Sequence, residues 1–176
     1  MTRLQTMSPA ALAALYAQES EDTLVTLLTI YDPDTDTVVE RFADNYNQVL
    51  SGIDYVGIDD IVYGIKSRGN SYIFLPLEIT LPSSDESGSS RAQLVIKDVT
   101  RYLTPLIRSI SGPPRVKLEL VLKSQPDTVE ISYDTFYLSS ITYNSDQVSG
   151  ELTLIDYQVE PFPIHRFTPK YFPGLF

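Results

Sequence analysis

From Arg115 to Lys123 the chain reads Arg-Val-Lys-Leu-Glu-Leu-Val-Leu-Lys, with Val116, Leu118, Leu120 and Leu122 on one parity and Arg115, Lys117, Glu119 and Lys123 on the other. A period of two is that of a strand with one buried and one wet face. Gln125-Pro-Asp-Thr128 supplies a turn, because proline presets φ and aspartate bonds the backbone two residues on. The return strand, Val129 to Tyr143, changes face twice: Val129, Ile131 and Tyr133 share one parity, Phe136 and Leu138 the other, Ile141 and Tyr143 the first again. A slip of one residue flips every side chain, so β-bulges are expected near Asp134-Thr135 and Ser139-Ser140. After a turn at Asn144-Ser-Asp-Gln147 a third strand is expected over Glu151–Val159. Three antiparallel strands in a meander anchor the reading.

Upstream, Ser8-Pro9 reads as N-cap and first residue of a short helix ending near Glu19, with Leu12, Leu15 and Tyr16 as its apolar stripe. Thr23–Tyr31 is apolar on both parities, as in a strand covered on both sides. Asp32-Pro-Asp-Thr-Asp36 turns it into Thr37–Ala43, and Asp44–Asp60 reads as loop. Ile61–Lys66 and Tyr72–Leu81 form a second hairpin across Ser67-Arg-Gly-Asn70, with Pro76 marking an edge or bulged strand. The low-complexity stretch 82–90 reads as a mobile loop, and Arg91–Ile96 as a short strand. Asp98 then caps an amphipathic helix whose face is Val99, Tyr102, Leu103, Leu106, Ile107 and Ile110. At Pro105 either that helix kinks, or Thr104-Pro105 caps a second short segment. The expected fold is mainly β, a sandwich or barrel with one flanking amphipathic helix and a short N-terminal helix. Residues 1–160 form one β-rich domain, followed by an extended Pro/aromatic arm, 161–176.

Composition narrows the function. The chain has 176 residues, 43% of them hydrophobic, enough to bury about 70% of its unfolded surface in one domain. Its apolar runs are too short to span a bilayer, so no membrane insertion is expected. There is no cysteine, which leaves no disulfide, thiolate metal site or Cys nucleophile. A net charge of −10 disfavours binding to nucleic acid and suits a surface that DNA passes without sticking.

Asp32, Asp34 and Asp36 have the opening spacing of a calcium loop, but Thr37 and Ala43 occupy the positions of its glycine and closing acid. Asp59-Asp60 has no second carboxylate assigned opposite it, and Ser67-Arg-Gly-Asn70 lacks the glycines and lysine of a phosphate loop. His165 is the sole histidine, and no G-x-S-x-G elbow accompanies it. No positioned acid, base or nucleophile emerges, so the reading is of a non-enzyme without cofactor or metal.

The arm from Pro161 to Phe176 holds four prolines, four phenylalanines, Tyr171 and no acid. Such rings gain about 1.5–3 kcal/mol each on burial, so the arm must lie against something. Arg166 and Lys170 give it +2 against the −12 left on residues 1–160 from the total of −10. Phe162, Arg166, Phe167, Lys170, Tyr171, Phe172, Leu175 and Phe176 are therefore the candidate partner-docking residues.

Glu160-Pro-Phe-Pro163, Arg166-Phe-Thr-Pro169 and Phe172-Pro-Gly-Leu-Phe176 resemble the C-terminal signature of a family of long-tailed bacteriophage (siphophage) tail-tip proteins that carries a domain-of-unknown-function label. Leu27-Leu28-Thr29-Ile30, Leu81-Pro82 and Ser124-Gln-Pro-Asp127 extend the resemblance over nearly the whole chain. The family is similar to the N-terminal part of the tail hub proteins of lambda-like phages. The resemblance implies a helix-flanked β-barrel of tail-tube type, built into a ring around the DNA channel at the tail tip of the virion after synthesis in the bacterial host cytoplasm. A homo-oligomer, a trimer by the hub resemblance, would contact the distal tail protein, a hub or fibre protein and the tape measure. The hub's iron–sulfur cluster sits on cysteines of a further domain; this chain has none, and another protein is expected to supply that portion. The competing readings are a receptor-binding module whose Tyr46, Tyr55, Tyr63 and Tyr72 meet cell-surface sugar, and a tail assembly chaperone.

Overall fold

The computed structural model describes residues 7–17, 22–51, 61–80, 91–97, 103–144 and 146–154. It is mainly β with two helices. The strands are β1 (Leu24–Tyr31), β2 (Val38–Ala43), β3 (Gln48–Leu50), β4 (Val62–Ser67), β5 (Asn70–Phe74), β6 (Leu77–Thr80), β7 (Arg91–Lys97), β8 (Arg115–Leu122), β9 (Val129–Tyr143) and β10 (Gln147–Leu154). Helix α1 spans Pro9–Tyr16 and α2 spans Leu103–Ser109. The ten strands form one sheet in the order β3-β4-β5-β2-β1-β8-β9-β10-β7-β6.

The meander is present as β8, β9 and β10, both pairs antiparallel. Pairing of Val116 with Phe136 and Leu118 with Tyr133 sets Lys117 against Asp134-Thr135, the first expected bulge. Pairing of Ser149 with Thr142 and Glu151 with Ser139 sets Gly150 against Ser140-Ile141, the second, with Ser140 at φ 52. These extra residues return the apolar side chains of β9 to the inner face after each change of parity. A third bulge leaves Glu130 unopposed between Leu120↔Ile131 and Val121↔Val129. The third strand starts earlier than its alternation indicates, at Gln147, and residues beyond Leu154 lie outside the described ones.

Strand β1 is buried on both faces, as its composition requires. Leu28 and Ile30 join the large inner cluster with Phe42, Leu94, Val116, Leu138 and Leu152, while Val25 and Leu27 join an outer cluster with Ala43, Ile65, Tyr72 and Val121. Helix α2 seats Leu103 in the inner cluster, with Leu106, Ile107 and Ile110 packed against it. Pro105 is the third residue of the described helix, and the segment that would decide between a kink and a second start, 98–102, lies outside the described residues. The expected cap Asp98 lies outside the described residues.

Within Asp44–Asp60, read as loop, Gln48–Leu50 is strand β3, paired antiparallel with β4. Two further expectations fail in instructive ways. The segment Tyr72–Leu81 is not one return strand: β5 pairs with β4 and, in parallel, with β2, whereas β6 pairs with β7 at the opposite flank. Leu75 N–H donates to the Ala43 carbonyl at 3.0 Å and Pro76 accepts from Lys97 N–H at 2.9 Å, so adjacent residues bond to opposite flanks of the sheet. Pro76 ends the first set of partners because it has no N–H to give. The other failure is in part of α1, which turns Ala11 inward beside Met7 and Leu122, keeps Leu12 of the expected stripe packed against them, and leaves Leu15 49% and Tyr16 77% exposed. The helix also stops at Tyr16, capped by extended Ala17, short of Glu19.

What fixes α1 is its start. Ser8 accepts from Ala11 N–H through Oγ at 3.1 Å, and its own N–H and hydroxyl donate to the two carboxylate oxygens of buried Glu130, each at 2.6 Å. The bulge of β9 thus supplies the acceptor that the helix N-terminus lacks. Ser8→Ala is expected to lower stability by about 1–2 kcal/mol in urea melts, at the upper end for an N-cap because Glu130 loses a donor too. An unchanged midpoint would show that α1 contributes nothing to the fold.

Candidate functional site

The outer face of β8, β1 and β2 carries the most concentrated polar chemistry among the described residues. The registers Thr29↔Lys117 and Thr29↔Arg41 set a lysine and an arginine on either side of one buried threonine. Cross-strand neighbours of this kind stand about 5 Å apart at Cβ. The β4–β5 hairpin then folds over this face. Its turn residues Arg68 and Gly69 both have positive φ (50° and 78°), the geometry of a type I′ turn that matches strand twist. Ser67 Oγ donates to the Pro126 carbonyl at 2.6 Å and Arg68 N–H donates to Asp127 Oδ1, which pins the hairpin tip to the β8–β9 turn.

So pinned, Arg68 grips Glu119 with both terminal nitrogens, at 3.0 and 2.6 Å. Lys117 Nζ lies 3.1 Å from Glu119 and 3.1 Å from Asp134. Burial alone would raise Glu119, yet hydrogen bonds from Arg68 and Lys117, with their charges, hold its carboxyl below the ordinary range. Arg68 is raised, chiefly by its hydrogen bond to Glu119. For Lys117 burial pulls down, and the bonds to Glu119 and Asp134 outweigh it. Beside this network lies an open cleft of about 150 Å³, lined by Thr29 and Tyr31 of β1, Arg41 of β2, Asn70 and Tyr72 of β5, Arg68, Lys117 and Glu119. At its margin Arg115 stacks on the Tyr31 ring at 4.4 Å and pairs with Asp36.

A second feature is aromatic. Tyr46 meets Tyr63 and Phe74, each at 5.0 Å between ring centroids, with Lys123 Nζ 5.9 Å from the Tyr46 ring. Tyr46 and Tyr63 are 44% and 45% exposed, and Val49 and Ile61 nearby in the chain are exposed too. Tyr72, named above as a sugar-contacting tyrosine, is instead buried in the outer cluster at 2% exposure, and Tyr55 lies outside the described residues.

The turn acids are committed elsewhere: Asp32 Oδ1 accepts from Asp34 and Thr35 N–H at 2.8 and 3.2 Å, and Asp36 pairs with Arg115. Among the described residues no three His, Cys, Asp or Glu stand close enough to hold a metal ion, and no described helix is long and apolar enough to cross a membrane. All eight docking residues, Phe162, Arg166, Phe167, Lys170, Tyr171, Phe172, Leu175 and Phe176, lie outside the described residues, as do His165 and Asp59-Asp60. Alternation put Lys117 and Glu119 on the wet face of β8; nothing local to the sequence indicated that Arg68, fifty-one residues away, would reach Glu119.

No protein-family model matches the chain, and no curated protein matches it.

Proposed function

We propose that this chain is a structural component of the distal tail of a long-tailed bacteriophage, a tail-tip hub or adaptor contributing to a ring around the DNA channel. The observation that carries the reading is the handover at Leu75-Pro76, where one chain segment serves both flanks of the sheet. A segment that serves both flanks holds them one chain link apart, which supports a sheet curled toward a barrel, with β3 and β6 as its ends among the described strands. With α2 packed on the inner cluster, the arrangement supports our reading of a helix-flanked barrel plan, the one that the resemblance to tail-tube and hub proteins implies. The net charge of −10 suits a wall that DNA slides past.

In this reading the arm 161–176 docks on a neighbouring subunit or tail protein, and the fold is complete before it. A chain ending at Glu160 is expected to keep its β-type circular dichroism and melt cooperatively, yet to lose self-association in sedimentation experiments. An unfolded or insoluble product would assign the arm to its own core instead. On phage particles, an antibody to the chain should decorate the tail tip. Decoration of fibres would favour the receptor-binding reading, in which the exposed Tyr46–Tyr63 pair takes sugar; absence from the particle would favour a chaperone.

A further inference from the structure

We propose that the outer-face cleft is a binding site for a single carboxylate group, held by Arg41 and Lys117 across Thr29. Three of the cleft's lining side chains are cationic and one is acidic, in a chain with 13 basic and 23 acidic residues, so the concentration of cations there runs against composition. The one acid is already occupied: Glu119 takes Arg68 on both oxygens and Lys117 on one. Asp134, at the rim, takes a further Lys117 contact, which leaves the ammonium one of its three donors. Among the described residues Arg41 has no carboxylate on its guanidinium, which carries five N–H donors, and its register opposite Thr29 sets it on the cleft's face. The planar fork of arginine matches a carboxylate in two parallel hydrogen bonds, and the same face already demonstrates that match in Arg68 and Glu119.

Size sets the class of ligand. About 150 Å³ accommodates a carboxylate on a short aliphatic stem and is too small for a nucleotide or a sugar chain. Such a group has two sources: a free small carboxylic acid, or an Asp or Glu side chain of a second copy of this acid-rich chain. The inference does not depend on the tail-tip reading, since the cleft belongs to the single chain.

The test is a titration of the intact protein with glutarate at constant ionic strength, followed by backbone amide NMR shifts. The expected result is saturable binding that moves amides of β1, β2 and β8 around Thr29. Arg41→Gln should weaken it by about tenfold or more, and Arg41→Lys, which keeps the charge and loses the fork, should fall between. Sedimentation equilibrium separates the sources. Self-association that glutarate competes away and Arg41→Gln weakens points to a second copy; self-association unaffected by either points to a free acid. Shifts that rise linearly without saturating, or equal binding by Arg41→Gln, would overturn the carboxylate site. Because Arg41 is a half-exposed strand residue, the fold of each variant is confirmed by its own amide spectrum.

Discussion

Gly64→Ala is expected to lower stability by about 3 kcal/mol or more and to cost roughly 6–12 °C in melting temperature. A Cβ at Gly64 would stand 2.0 Å from the Tyr72 carbonyl oxygen and 2.5 Å from Leu50 Cδ1. The leucine can rotate, but the carbonyl belongs to β5, the partner of β4, and moves only if the ladder moves. The damage spreads because Gly64 also pairs with Gln48 and accepts from Asn47 N–H, which ties β3 to the same point. Gly69→Ala is the internal control. It has open space around it, so only the strain of φ 78° remains, about 1 kcal/mol. Equal midpoints for the two variants in urea would contradict the close crossing of strands at Gly64.

The next largest effect is expected at the hairpin tip. Arg68→Met removes the bidentate partner of Glu119, whose side chain is 5% exposed, and leaves the carboxylate to Lys117 alone. Breaking a buried pair on one side costs about 3–5 kcal/mol, and the one-third exposure of Arg68 reduces that to about 2–3. The pH dependence distinguishes an ion pair from lost packing. Glu119 titrates below its ordinary 4.5 in the folded chain, so its contribution is complete above that value and lost as pH falls through the lower folded value. In Arg68→Met the burial that raises the carboxyl persists while the main opposing contact is gone. The acid limb of stability should therefore begin at higher pH than in the wild type. Adding Glu119→Gln should recover part of the loss, because no buried charge is then left unpaired. Urea midpoints between pH 3 and 7 report both effects; an acid limb that does not move would mean that Arg68 acts through packing alone.

What the sequence disclosed and what it withheld follow from how far each feature's cause lies along the chain. The meander, both of its expected bulges and the I′ turn at Arg68-Gly69 are written locally, in parity changes and turn residues. Strand β3 was hidden because three residues, Gln48-Val-Leu50, cannot display a period. The face of α1 was misread at Leu15 and Tyr16 because a bulged glutamate more than a hundred residues away holds the helix start, with Ala11 and Leu12 turned inward. The bulge at Glu130 itself was invisible, since Val129 and Ile131 share a parity and the shift shows only in β8. In the cleft, alternation gave Lys117 and Glu119 their face, but the meeting of Arg41, Lys117 and Arg68 depends on strand order and on a hairpin folded over the sheet, neither of which any short window contains.

The handover at Leu75-Pro76 also bears on how copies of this chain can exchange parts. Edge strands are the elements that proteins trade when they swap domains, because an edge has one partner to lose. Among the described strands β6 is such an edge, paired with β7. It is tethered at its start: Leu75, the residue before its proline, is bonded to Ala43, so a departing β6 would have to pivot at Pro76. A copy that lent β6 to a neighbour would keep β5, paired with β4 and β2, and with it the Arg68 tip that clasps Glu119.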